Sequence, residues 1–366
     1  MKIVLTGGVT GGHIYPALAI GDKFRESHPD CEIIYIAAGE ELEKSIIPAA
    51  GYTLYEVETE SLDRSNLLKF IRTVVKTLIG SNSAFKIMKK FKPDIVISTG
   101  SYVSVPVVLA AHRYGSSVYL HEQNGYPGIS NRFLSRYAKT VFTGFESANK
   151  YFSKNSKVFY SGNPVRKEFK SRNKLIDREK LNISKEDLII TIFGGSLGSE
   201  MTNKIGESLS RKYADKTGYT IIWGTGKNYY EDIKARFDNE NFVPSNLRLS
   251  AYIKNMPGIL SASDISISRS GAISTAEITM AGRAAIFIPS PNVTEDHQYY
   301  NAKALADIGG AFIVRENENT CKEVIKIVEA LDNNRENIRK MEKASLSIAP
   351  INAADIIYDK IMETYK

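Results

Sequence analysis

The chain has 366 residues, 43% hydrophobic and 24% charged, which excludes a disordered tail and suits two domains of roughly 150 residues each. Lys and Arg number 48 against 41 Asp and Glu, a net charge of +7, which admits nucleic acid, an anionic membrane surface or a phosphorylated substrate as partner. The two cysteines, Cys31 and Cys321, exclude a metal-binding spacing or a disulfide framework and fit a reduced cytosolic compartment. The opening apolar run is too short for a signal peptide, and no stretch approaches the about 18 apolar residues of a membrane span.

Lys2 to Leu5 reads as a buried strand entering the glycine turn Gly7-Gly8-Val9-Thr10-Gly11-Gly12. A helix follows, with Pro16 near its first turn, where a missing N–H costs little. Further strands are predicted at Glu32–Ala37, Asp94–Ser98, Ser117–Leu120, Thr140–Thr143 and Val158–Ser161, with helical stretches between them. The same grammar restarts after Pro164: Leu188–Phe193 enters Gly194-Gly195-Ser196-Leu197-Gly198, and Tyr219–Trp223, Asp264–Ser268 and Ala284–Ile288 continue it. Repeated strand–helix units imply an α/β chain of two Rossmann-like domains with parallel sheets, facing across a cleft. The expected boundaries are 1–163, 164–348 and a C-terminal helix, 349–366, returning to the first domain; the joint lies at Gly162 to Arg166, where Pro164 holds Asn163 extended.

A strand–glycine–helix turn aims backbone N–H groups and a helix N-terminus at one spot, which suits phosphate. Three such turns occur, the third at Arg269-Ser270-Gly271-Ala272. None is a Walker A loop, since no Gly-Lys-Ser/Thr follows. The second strand ends Ile36-Ala37-Ala38, without the acid that holds a dinucleotide ribose, so a dehydrogenase is disfavoured. Of five histidines, His13, His121 and His297 fall where strands end, and ligands of open α/β sheets bind there. The positive end of a helix favours neutral imidazole, which makes His13 a candidate general base. Glu277, on the helix after Gly271, can accept two hydrogen bonds from a ribose diol; the alternative is a solvated helix glutamate. No Asp-x-Asp occurs, so a metal-held diphosphate is not expected, and glycine turns with Arg166 or Arg269 would stabilise it.

Thr6 to Ala19, Ser98 to Val103, His121 to Asn124 with Pro127-Gly128, Gly162 to Arg166, Gly194 to Gly198, Ser268 to Ala272 and Pro289 to Gln298 together resemble the MurG family of bacterial N-acetylglucosaminyltransferases, in the family's order over nearly the whole chain. The resemblance implies a GT-B fold and inverting transfer from UDP-N-acetylglucosamine to lipid I, an undecaprenyl-diphosphate-linked acceptor, with no cofactor and no metal. By motif, Glu277 would hold the ribose and Ile253 the uracil edge. Ser196, Ala272, Ile273, Ser274 and Arg166 would surround the diphosphate. Asn124, His297 and Gln298 would read the sugar. Thr10, Gly11, Gly12, Tyr102 and Glu122 would face the acceptor, with His13, or Glu122 through a water, as base. Val9 and Ser101 stand where the family has glycines, and both narrow a backbone approach. A diacylglycerol glycosyltransferase and a catalytically silent nucleotide-sugar-binding subunit are the alternatives.

Between Asn66 and Lys92 lie Lys69, Arg72, Lys76, Lys86, Lys89, Lys90 and Lys92 with no acid, interleaved with Leu67, Leu68, Phe70, Ile71, Val74, Val75, Leu78 and Ile79. At helical spacing these form one broad apolar face. It belongs either to a core helix with a solvated basic side or, the reading preferred here, to a helix resting on the anionic cytoplasmic leaflet. With the charge placed there, nucleic acid drops out as a partner.

Overall fold

The computed structural model describes residues 1–61, 66–195, 197–293 and 296–365, with the side chains of 67, 68 and 70 outside the description. The chain divides into two units, Met1–Arg166 with the segment from Asn352, and Lys167–Ile351. The first division falls after Arg166 rather than Asn163, because Asn163 Nδ2 donates to Gln123 O (2.9 Å) and the Arg166 guanidinium lies 5.0 Å from the Tyr15 ring centroid. The second falls at 351/352 rather than 348/349, since backbone turns from Ser345 O to Ile348 N carry the chain on from the preceding helix.

The first unit runs β1 (Lys2–Thr6), α1 (Gly11–Ser27), β2 (Glu32–Ala37), α2 (Glu41–Ala49), β3 (Thr53–Glu56), α3 (Leu67–Phe91), β4 (Ile95–Ser98), α4 (Ser104–Tyr114), β5 (Ser117–Glu122), α5 (Ile129–Leu134), β6 (Thr140–Thr143) and β7 (Val158–Tyr160). The second runs α6 (Lys174–Lys180), β8 (Leu188–Phe193), α7 (Glu200–Lys212), β9 (Tyr219–Gly224), α8 (Tyr230–Asn239), β10 (Leu247–Ser250), α9 (Met256–Ala262), β11 (Ile265–Ser268), α10 (Ala272–Ala281), β12 (Ala284–Phe287), α11 (His297–Ala306), β13 (Ala311–Ile313), α12 (Thr320–Asn333) and α13 (Arg335–Ser347); α14 (Ala353–Tyr365) closes the chain.

Both sheets are parallel, ordered β3-β2-β1-β4-β5-β6-β7 and β10-β9-β8-β11-β12-β13. Strands buried on both faces read as continuous apolar runs, which is why β1, β2, β8 and β11 are legible in the sequence. Three strands escaped that reading: β3, β10 and β13. All are sheet edges with exposed positions, so they carry no such run. In each sheet the order reverses beside the first strand, between β1 and β4 and between β8 and β11. Ligands of open α/β sheets bind at such switch points, and each glycine turn leaves one of them.

Alternate β1 residues face opposite sides of the first sheet: Ile3 and Leu5 join the core under α1, and Val4 joins the core under α3 and α4. Ile357 and Ile361 of α14 are buried in the α1-side core, and Lys23 pairs with Asp355 at 2.7 Å. The C-terminal helix is therefore part of the first unit. In the second unit, Trp223 on β9 donates Nε1–H to Asn203 Oδ1 (3.0 Å), and Gly206 of α7 sits on its ring, where a Cβ would come within 2.5 Å. That contact seats α7 on the sheet.

Helix α3 departs from the core-helix alternative. Its buried stripe is Thr73, Gly80, Ala84 and Met88, small residues except the last. The larger face opposite is in solvent: Ile71, Val74, Val75, Leu78 and Ile79 are 49, 42, 48, 59 and 46% exposed. Leu67, Leu68 and Phe70 lie outside the described side chains. Among the described residues no helix is long and apolar enough to cross a membrane.

Candidate functional site

In the first unit the glycine turn leaves β1 at the switch point and is pinned from outside. Glu43, fully buried on α2, accepts from Val9 N (2.7 Å), Gly39 N (2.7 Å) and Glu40 N (2.9 Å). A Cβ on Gly8 would lie 1.9 Å from Glu43 Oε1, and one on Gly7 would lie 1.9 Å from Thr99 Oγ1. Glycine is required at both by close approach. Val9 (φ 71) and Ser101 (φ 74) sit in the left-handed region, which glycine occupies without cost and a β-branched side chain occupies under strain. The two departures from the family pattern are thus two strained residues. Tyr102 follows Ser101 and donates to Glu40 Oε1 at 3.2 Å; burial, then the nearby Glu40, pushes its hydroxyl up to about 12.

Thr10 caps α1 with its carbonyl, accepting from His13 N (3.1 Å) and Ile14 N (3.2 Å), and Gly11 and Gly12 form the first turn. His13 comes next, half-buried, and Thr99 grips it at both ends. Thr99 Oγ1 donates to His13 O (2.7 Å), and Thr99 O lies 2.8 Å from His13 Nδ1. Gln123 Oε1 is 3.0 Å from the same nitrogen.

Behind this ring the His121-Glu122-Gln123-Asn124 motif ends β5. His121 is fully buried, with Nε2 3.1 Å from Gly162 O and Nδ1 3.0 Å from Gln123 Nε2. Burial lowers its pKa to about 4, outweighing the bond to Gly162. Glu122 is 1% exposed, and four donors surround its carboxylate: Asn124 N (2.9 Å) and Nδ2 (3.1 Å) on one oxygen, Gly128 N (3.1 Å) and Asn131 Nδ2 (2.8 Å) on the other. This corrects the expectation of Glu122 as an alternative base. Its lone pairs are committed to holding the 123–131 loop, and Asn124 is the loop residue it holds most directly.

Arg166 belongs to the first unit, its guanidinium 5.0 Å from the ring centroid of Tyr15 on α1.

In the second unit the turn after β8 leads into α7, capped by Ser199. Ser196 lies outside the described residues. Arg269 spans the switch point: Nε donates to Ser199 Oγ (2.8 Å), Nη1 donates to Ile288 O (3.0 Å), and Glu316 pairs with it at 2.6 Å. Its charge is committed to bracing three loops, which leaves less of it for a diphosphate. Gly271 caps α10, and Ala272, Ile273 and Ser274 form its first turn, with N–H groups at a helix start. Glu277 is 6% exposed, so it is no solvated helix glutamate. Ile253, just past β10, is buried against Gly224 at the end of β9, 3.0 Å from where that glycine would carry a Cβ. His297 begins α11, and Gln298 Oε1 accepts from Ser290 N at 2.9 Å.

Each unit therefore gathers its own set. One holds Thr10, Gly11, Gly12, His13, Tyr102, Glu122, Asn124 and Arg166; the other holds Ile253, Ala272, Ile273, Ser274, Glu277, His297 and Gln298. Sequence reasoning missed Glu43, Thr99, Ser199 and the role of Gln123. Thr99 and Gln123 lie inside motifs already singled out, whereas nothing near Glu43 in sequence marks it.

The glycosyltransferase family 28 N-terminal domain matches residues 3–143 and its C-terminal domain matches 189–357. A UDP-N-acetylglucosamine–N-acetylmuramyl-(pentapeptide) pyrophosphoryl-undecaprenol N-acetylglucosamine transferase of Clostridioides difficile is 38% identical over 100% of this chain and 89% of its own length. The same-named protein of Caldicellulosiruptor saccharolyticus is 37% identical over 100% and 98%. The crystal structure of Acinetobacter baumannii MurG superposes with a TM-score of 0.75 at 29% identity, covering 99% of both chains. A UDP-GlcNAc 2-epimerase of Neisseria meningitidis, at 16% identity and a TM-score of 0.67 over 99% and 100%, shares the fold alone. Two matched domains and full-length relatives leave one reading of its kinship: this chain belongs to glycosyltransferase family 28, within its MurG group.

Proposed function

We infer that this enzyme is an inverting glycosyltransferase that moves N-acetylglucosamine from UDP-N-acetylglucosamine to the 4-hydroxyl of the N-acetylmuramoyl unit of lipid I, giving lipid II for peptidoglycan synthesis. The transfer is the one stated in the relatives' names. The observation that carries it is His13, whose Nδ1 faces two oxygens, Thr99 O at 2.8 Å and Gln123 Oε1 at 3.0 Å. A carbonyl only accepts, so Nδ1 carries the proton and Nε2 keeps the lone pair. In the reaction the 4-hydroxyl oxygen bonds to the anomeric carbon while its proton passes to Nε2. The bond from that carbon to the diphosphate oxygen breaks, and UDP leaves with the electron pair.

The donor set is assigned to the second unit. Glu277, shielded from water, takes the ribose diol, and Ile253 takes the uracil edge. Ser196 and the first turn of α10 at Ala272, Ile273 and Ser274 take the diphosphate, and His297 and Gln298 take the sugar hydroxyls. Within the first unit, Thr10, Gly11, Gly12 and Tyr102 are assigned to the acceptor, Asn124 to a sugar hydroxyl and Arg166 to a diphosphate oxygen. His13→Ala should lower kcat roughly 10²–10⁴-fold in transfer to lipid I; near-normal turnover would overturn the base assignment. Glu277→Ala should weaken UDP binding, and unchanged UDP affinity would remove Glu277 from the ribose. Transfer to diacylglycerol in place of lipid I would overturn the acceptor.

The acceptor is a lipid, and α3 is read as the membrane-resting element on the cytoplasmic leaflet. An exposed apolar face of five large residues beside the exposed Lys86, Lys89 and Lys90 supports this, while Arg72 and Lys76 pair with Glu60 (3.3 and 2.6 Å). Each exposed lysine contributes about 1 kcal/mol at an anionic surface. Binding to vesicles should rise with anionic lipid and fall for Leu78→Asp with Ile79→Asp. Binding that ignores both anionic lipid and these changes would exclude the surface.

A further inference from the structure

The polar groups behind His13 form a chain in which every orientation is determined. Gly162 O can only accept, so His121 Nε2, 3.1 Å away, carries a hydrogen. Neutral His121 then presents a bare Nδ1, and Gln123 Nε2 donates to it at 3.0 Å. The same amide nitrogen donates to His121 O at 3.0 Å, a second acceptor that keeps the amide from turning over. Gln123 Oε1 is thereby directed at His13 Nδ1 (3.0 Å), beside Thr99 O (2.8 Å). The frame around the chain is equally committed: Asn163 Nδ2 donates to Gln123 O (2.9 Å), and Asn131 Nδ2 donates to His121 O (3.3 Å).

We propose that His121 and Gln123 are positioning residues for sugar transfer, holding His13 in the Nδ1–H tautomer so that Nε2 stays the proton acceptor. The proposal rests on the reading of His13 as base. Thr99 O (2.8 Å) already calls for a hydrogen on Nδ1; turning the Gln123 amide over would set its NH₂ against that hydrogen, oppose Thr99 and push the ring toward the tautomer with hydrogen on Nε2, which cannot take a proton. His121 prevents the turn because its own hydrogen is held by Gly162. Burial keeps His121 neutral through the working pH range, so the direction of the chain does not reverse there. A histidine base oriented by a partner on its other nitrogen is a general arrangement; here the partner is an amide, and the amide is itself oriented by a second histidine.

The test uses the full-length enzyme with ¹⁵N-labelled histidine, whose five imidazoles report tautomers directly. Wild-type His13, identified by its loss in His13→Ala, is expected as the Nδ1–H form. Gln123→Met keeps the side chain's length and removes both the acceptor and the donor. It should lower kcat roughly 10–100-fold, the range known for partners that orient a metal-bound histidine through its other nitrogen. KM for UDP-N-acetylglucosamine should stay within about twofold, and the His13 signal should move toward a mixture of tautomers. Unchanged kcat and an unchanged His13 signal in Gln123→Met would overturn the proposal while leaving the base reading intact. Near-normal turnover in His13→Ala would instead remove the base reading itself. If Gln123→Met does not fold, His121→Phe decides: a shift of the His13 signal toward mixed tautomers with lower kcat supports the proposal, and an unchanged signal with unchanged kcat overturns it.

Discussion

The two glycine turns do the same job by different means. Each leaves the first strand of its parallel sheet at the switch point and opens a helix. The second supplies its left-handed positions with Gly195 (φ 88) and Gly198 (φ 87) and is closed locally, by Ser199 capping α7 and accepting from Arg269. The first puts a valine at φ 71 and is held by a buried carboxylate, Glu43, from a different helix. A turn built on glycine is stable by its own chemistry. One that contains a β-branched residue there needs an external clamp, because strain persists only where surrounding structure over-determines it.

Removing the clamp should show the largest difference. Glu43→Ala leaves three N–H donors without their partner and is expected to cost about 4 kcal/mol in the first unit's unfolding transition. The counterpart in the second unit, Ser199→Ala, should cost about 1 kcal/mol, the usual value of a cap; calorimetry that found equal losses would erase the contrast. Acid should also separate the units. Burial pushes the His121 pKa down to about 4 in the folded chain, below the ordinary imidazole value of 6.5, so the unfolded chain takes up a proton first as pH falls. The resulting stability is present above pH 6.5 and lost toward pH 4, by about 3 kcal/mol. Unfolding followed at several pH values in this window should be steeper in wild type than in His121→Phe.

Smaller effects test the turns residue by residue. Gly198→Ala would bring a Cβ to 2.2 Å from Thr225 O, a backbone atom that cannot step aside, and should cost about 3 kcal/mol in chemical denaturation. Gly195→Ala meets nothing within 4 Å and should cost about 1 kcal/mol, for its φ alone. Val9→Gly has the opposite sign: relief of left-handed strain should stabilise the first unit by about 1 kcal/mol, part of it offset by glycine's greater freedom when unfolded. A loss of stability in Val9→Gly larger than glycine's added unfolded-state freedom, about 1 kcal/mol, would mean that Val9 holds no strain for Glu43 to offset.

Much of the site was legible because motif residues cluster where buried strands end. His13, His121, Glu122 and Asn124 come together in one unit, and Ile253, Glu277, His297 and Gln298 lie in the other. Roles were less legible. Glu122 reads as a base in isolation, yet four donors occupy it. Arg269 reads as a diphosphate cation, yet Glu316 and two loop oxygens engage it. In α3 the apolar face visible by periodicity is the exposed one, and the helix packs through Thr73, Gly80 and Ala84. Periodicity finds the face with most hydrocarbon; whether neighbouring elements cover it is a separate matter.

The glycine turns, taken with strand order along the chain, already determined an α/β chain of two parallel-sheet halves, because these follow from local chemistry and near-neighbour spacing. Only the tertiary structure decided which carboxylate clamps a turn, which is sequestered in a loop, and which oxygens face Nδ1 of His13. Those outcomes depend on partners such as Thr99 and Gln123, which lie 86 and 110 residues from His13 and reach it only when parallel strands bring their ends together.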